Sequence, residues 1–284
     1  MNSVPITITR IVRRMRGPSQ PHLVQADDGQ CYVAKFAGNP QGTRTLVNEL
    51  ISYQLMTHLG VSTPCLRILN LPLSLVNEDL CFRVGTRLIP PEGPVHLGSQ
   101  CPVDPEVTAI WDFLPAKLFP RVVNLSQFAT ILVFDTWVCR TAPRQAIFVR
   151  QPSVIGEQHF KAHFIGHTTS FGGCQWRLGG DTIHGAYFQP GIYSLFDMST
   201  PVETTVCLLE AITEATLLAT LVGVPPSWFL PGDREAIRAL FGQLHERRPK
   251  MRSILANDID SPDHRVSRGG HHFNCEYKRV AGTI

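Results

Sequence analysis

The chain has 284 residues, room for one large domain or two lobes of ordinary size. Hydrophobic residues make up 43% and charged residues 17%, enough apolar surface for a core, which excludes global disorder. The net charge is only +3, and outside two clusters, at residues 10–16 and 245–252, the basic residues are scattered, which excludes nucleic-acid binding by bulk charge.

Residues 4–12 alternate apolar and polar side chains, the period of a strand. The turn residues of 17–21 follow, then a strand at 22–26, the hairpin signal Asp27-Asp28-Gly29, and a strand at 30–36 that ends Tyr32-Val33-Ala34-Lys35-Phe36. Residues 38–42 read as a loop. Residues 44–60 carry Leu46, Val47, Leu50, Ile51, Leu55 and Leu59 at three-to-four spacing and stop on Gly60, the pattern of an amphipathic helix. Strands are expected at 65–71 and 80–88. The Pro/Gly-rich stretch 89–94 then reads as a lobe boundary.

Beyond it the chain turns helical. A long apolar helix is expected over 124–140, short strands at 147–150 and 159–166, and helices over 202–221 and 232–255. The expected division is a first lobe at 1–90, a helical lobe at 91–256 and a flexible tail at 257–284. No apolar run reaches the length of a membrane span, and residues 1–5 lack a charged-then-apolar leader. The eight cysteines are spaced singly with no C-x-x-C pair, as expected of reduced thiols. A soluble, cytoplasmic protein with no membrane association is the expectation. The tail run Gly269-Gly270-His271-His272-Phe273-Asn274-Cys275 offers three metal-ligating side chains but no fourth, so no metal site is assigned.

The first hairpin, the strand ending in Lys35 and the following helix carry the chemistry. Phosphoryl transfer asks a protein mainly to position a triphosphate and offset its charge. A turn-rich loop, a strand lysine and a helix carboxylate perform that task in kinases. Here Gly17, Ser19 and Gln20 lie in the loop, Lys35 ends the strand, and Glu49 stands 14 residues later in the helix. A lysine after three apolar residues is, taken alone, more often a surface side chain.

In the stretches Arg14–Val24, Asp28–Phe36, Gln41–Ile51 and Leu59–Pro64, and again in Phe134–Cys139 and Phe164–Trp176, the chain resembles the HipA-like kinase domain family. The resemblance extends over about residues 8–255, the last part by helical layout alone. It implies an α+β, bilobal protein-kinase-like fold, with an N-terminal antiparallel sheet and one helix before a mainly helical C-terminal lobe. It also implies a Mg-ATP site and Ser/Thr protein phosphorylation. Gly17, Ser19 and Gln20 would then belong to the phosphate loop, Lys35 would face the phosphates, and Glu49 would be its partner.

The same resemblance fails at the acids. Arg140 stands at the family's Asn position, Ala142 at its catalytic Asp, Ile147 at a metal-ligand position, and Gly166 at its second metal-binding Asp. Neither Ala nor Gly offers a side chain that accepts a proton or binds a cation. No catalytic or metal-binding residue is therefore assigned. The expectation is a pseudokinase with ATP as a possible ligand, weak or absent Mg binding, and action through an unidentified protein partner. A weakly active Ser/Thr kinase and a non-catalytic scaffold or decayed paralogue are the alternatives. Asp135, two helical turns before Ala142, is expected to play a structural part by capping or by pairing with an arginine.

Overall fold

The computed structural model describes residues 6–152 and 157–259. The first strands form where the alternation predicted them: β1 (Ile6–Arg14), β2 (His22–Ala26) and β3 (Cys31–Lys35). Their turn is the expected one, with Gly29 at φ 78° and its N–H donating to the Ala26 carbonyl. Helix α1 (Arg44–His58) ends just before Gly60, whose φ of 70° suits glycine at a helix stop. Strand β4 (Leu66–Asn70) follows.

The expected strand at 80–88 is instead a small hairpin, β5 (Phe82–Val84) and β6 (Arg87–Ile89), turning at Gly85 with φ 59°. Strand β7 (Val95–Gln100) comes after the Pro/Gly-rich stretch and inserts between β3 and β4. The first lobe's sheet thus extends past residue 90. It closes as a five-stranded barrel in the order β1-β2-β3-β7-β4. All its pairs are antiparallel except β1 with β4, which closes it in parallel.

The second part opens with β8 (Ile110–Trp111), a strand too short to show a period, and α2 (Gln127–Trp137). β9 (Gln145–Gln151) and β10 (His159–Ile165) pair antiparallel, and β8 adds to the edge of β9. The helix expected over 202–221 breaks into α3 (Ser199–Ala211) and α4 (Glu214–Ala219), because the Thr213 hydroxyl accepts from Thr216 N–H and caps a new start. The helix expected over 232–255 is interrupted near Pro249, which separates α5 (Asp233–Arg247) from α6 (Met251–Ile259). The expected tail lies outside the described residues apart from its first three, and with it the His/Cys run at 269–275.

Two cores hold the molecule. A small one fills the barrel with Ile8, Val24, Tyr32, Ala34, Phe36, Leu69 and Phe82. The larger one joins α1, through Leu46, Val47, Ile51 and Leu55, to Phe128, Leu132 and Trp137 of α2 and to the later helices. Helix α1 is therefore packed into the second lobe, which fixes its position between the barrel and that lobe.

Candidate functional site

Strand alternation places Lys35. Tyr32 and Ala34 point into the barrel core, so Cys31, Val33 and Lys35 take the opposite face. There the Lys35 ammonium donates to Glu49 Oε1, and Glu49 is buried on α1. The same carboxylate oxygen accepts from the backbone N–H of His167 at 2.6 Å. Glu49 thus ties together the barrel, the helix and the turn that follows β10.

Gly17 sits at φ 134° and Gln20 at φ 47°, so the loop between β1 and β2 is tight. The Gln20 amide does not face an open cleft. Its Oε1 accepts from Arg14 Nη1 at 2.7 Å and from Arg83 N–H at 2.9 Å, and its Nε2 donates to the Arg83 carbonyl at 2.9 Å. Gln20 staples the β5–β6 hairpin to the loop. The Ser19 carbonyl accepts from Asn39 Nδ2 at 2.7 Å, which anchors the loop's other side.

In the second lobe Asp135 and Arg144, both with fully buried side chains, form a two-pronged ion pair. Arg144 also donates to the Ile165 carbonyl at 3.1 Å and to His167 Nδ1 at 2.8 Å. Because Nδ1 accepts, the His167 ring carries its proton on Nε2, which faces Thr63 Oγ1 at 3.4 Å. Burial, and next the Arg144 charge, holds this imidazole well below the usual histidine range, so it is neutral.

Arg140 fills the space between the segments that carry Ala142 and Gly166. Its Nη1 donates to the Gly166 carbonyl at 2.6 Å and its Nη2 to the Pro143 carbonyl at 3.1 Å. Burial, and next the Arg144 charge, pulls this guanidinium down to about 9, which leaves it charged at neutral pH. Gly166 has φ 70°, and a Cβ there would lie 2.7 Å from Gln145 Oε1. Among the described residues no group of three or more His, Cys, Asp and Glu side chains is placed to hold a metal ion.

An open groove of about 530 Å³ lies between Pro102, Val103 and Thr108 on one side and Val149, Lys161 and His163 on the other. Phe160, Ala162 and Phe164 face the core, so Lys161 and His163 lie on the opposite face of β10. Burial, and next the Lys161 charge, lowers His163 to about 4. The groove face of β10 is positive through Lys161.

Two α1 residues that patterning alone did not single out complete the centre. Asn48 is fully buried, donates to the carbonyls of Thr168, Ser170 and Gly173 at 2.9, 3.1 and 3.2 Å, and accepts from Trp176 Nε1 at 2.7 Å. Arg44 pairs with Asp233, donates to the Cys174 carbonyl at 2.8 Å, and stacks 4.3 Å from the Trp176 ring. The one available signal was an asparagine and an arginine on the helix face that also carries apolar residues.

The barrel with its lysine-bearing strand, the helix with its glutamate and the helical second lobe make an α+β fold in two lobes, the class that the resemblance to kinases implied. Within that class, residues 8–147 match the family described as HipA-like kinase, which shows the resemblance over just under half the chain and stops short of Gly166. No curated protein matches the chain. Among solved structures the chain is similar to the Golgi casein kinase with Mn/ADP bound, at 12% identity over 88% of this chain and 72% of that one, with a TM-score of 0.46. It is also similar to the proinflammatory kinase CtkA of Helicobacter pylori, at 10% identity over 88% and 95% of the two chains, with a TM-score of 0.48.

Proposed function

We propose that this protein is a pseudokinase: a HipA-like kinase fold that keeps a nucleotide-clamping lysine but lacks the groups for efficient phosphoryl transfer. The observation that carries this reading is the contrast inside one cleft. Lys35 is held by Glu49, whereas a buried arginine, Arg140, donates to the carbonyls of Gly166 and of Pro143, the residue after Ala142. Both nearby carboxylates are engaged, Glu49 by Lys35 and His167 N–H, and Asp135 by Arg144.

A divalent ion does not fit this donor set. The guanidinium between the Pro143 and Gly166 carbonyls already uses the oxygens a cation would seek, and its charge repels one. Loss of a positioned general base alone costs roughly 10² to 10⁴ in rate. ATP is the proposed ligand, held by Lys35 beneath the loop of Gly17 and Ser19. The output of such a protein is contact with a protein partner. The exposed rings of Phe113 and Phe188, 6.4 Å apart, supply an apolar surface of the kind such contacts use.

The test is a thermal shift with ATP, with and without Mg²⁺ or Mn²⁺. Ligand at 100 times its Kd stabilises by about 2.7 kcal/mol. The expected result is a shift that needs no metal and is lost in Lys35→Ala. Metal-dependent transfer of phosphate from radiolabelled ATP, lost in the same variant, would overturn the pseudokinase reading in favour of a weakly active kinase.

A further inference from the structure

Of the cysteines described, Cys65, Cys81, Cys139, Cys174 and Cys207 each have a sulfur engaged in a hydrogen bond. The sulfurs of Cys31 and Cys101 have none, and the two residues oppose each other. The β3–β7 register pairs Tyr32 with Gln100, so its next step sets Cys31 against Cys101, and Cys101 N–H donates to the Cys31 carbonyl at 2.8 Å. Directly opposed residues on antiparallel strands have Cα atoms about 4.5 to 5.5 Å apart and side chains on one face. A disulfide spans Cα separations of about 4.4 to 6.8 Å. The shared face is that of Lys35, and Cys101 leads directly into Pro102 and Val103 of the groove wall.

We propose that Cys31 and Cys101 are a modification site, a thiol pair that closes as a reversible disulfide on meeting an oxidised low-molecular-weight disulfide. In the first step the sulfur of Cys101, the residue with the larger exposed surface of the two, attacks one sulfur of oxidised glutathione, breaking its S–S bond and releasing one glutathione. In the second, the Cys31 sulfur displaces the remaining glutathione from Cys101. Two protein thiols are oxidised, one glutathione disulfide is reduced to two thiols, and the two protein protons end on the two glutathiones. The new bond ties the strand that carries Lys35 to the segment that walls the groove.

The surroundings set the rate. Burial raises both thiols, Cys101 to about 12 with Cys31 and Asp104 adding to it, and Asp104 and Glu106 push Cys31 the same way. Arg10 beside Cys31 and Arg13 beside Cys101 act in the opposite sense. Closure is therefore slow at neutral pH and quickens as pH rises.

The experiment treats the full chain with oxidised glutathione at mildly alkaline pH, alkylates the remaining thiols, and maps peptides without reduction. The expected result is a linked pair of peptides holding Cys31 and Cys101, separated by dithiothreitol. In Cys31→Ser the linked pair is absent and Cys101 carries glutathione. Three outcomes overturn the proposal: Cys101 glutathionylated but unlinked in the natural chain, Cys31 joined to another cysteine, or both thiols free after the exposed Cys207 has reacted.

Discussion

Asp135 and Arg144 meet with both side chains shut off from solvent, so neither charge can be removed alone at small cost. Asp135→Ala leaves a buried guanidinium without its counter-ion, and the expected loss is about 3 to 5 kcal/mol in a denaturant-unfolding measurement. The sequence already assigned this aspartate a structural part, and the structure supplies the arginine it pairs with. Arg140 bears on what placing acids at positions 142 and 166 does. With Ala142→Asp and Gly166→Asp together, the Arg140 charge remains on the Pro143 and Gly166 carbonyls beside the new acids. The expected outcome is that this double variant binds Mn²⁺ at least about tenfold more weakly, by electron paramagnetic resonance, than the triple variant that adds Arg140→Asn. Equal binding in both would show that Arg140 does not exclude the ion. Asp at position 166 also carries a left-handed backbone, a strain of about 1 kcal/mol or more.

At the scale of elements, α1 is the part that joins the halves. Its apolar face was legible as a spacing of three and four, and its carboxylate as a glutamate at kinase-like distance from Lys35. Its clamp on the turn after β10 was not legible, because Asn48 meets carbonyls 120 to 125 residues away. Asn48→Ala strips a buried amide from three carbonyls and a tryptophan N–H. The expected cost is about 2 to 4 kcal/mol, read as a lower unfolding midpoint. Thr213→Ala removes the cap of α4 and should cost about 1 kcal/mol in the same measurement. The split of α3 from α4 was missed because apolar spacing continues across Ile212 and hides the restart. The break near Pro249 carried its own signal in the proline.

The whole molecule buries several histidines in neutral form. Burial lowers His22 and His167, and takes His96 and His163 down to about 4. In the window from about 6.5 down to about 4 the unfolded chain takes up protons that the folded chain refuses. Stability is therefore fully present above about 6.5 and falls as pH drops through that window. The melting temperature should be flat from neutral to mildly alkaline pH and decline below about pH 6. His96→Gln, which keeps an acceptor for the Ala37 N–H that now donates to His96 Nδ1 at 3.0 Å, should flatten part of the decline. An unchanged slope in that variant would remove His96 from the account.

Short-range chemistry in the chain determined the early strands, the Asp-Gly turn, the run of α1, and the identities at positions 35, 49, 142 and 166. Those depend on periods of two and 3.6 residues and on turn preferences, which neighbours along the chain express by themselves. Tertiary structure alone decided that β7 closes a barrel and that Glu49 holds both Lys35 and His167 N–H. It alone decided that Arg140 occupies the space beside Ala142 and Gly166, and that Cys31 faces Cys101. Each of those contacts joins residues far apart in sequence, and packing of the two cores, not local propensity, brings them together.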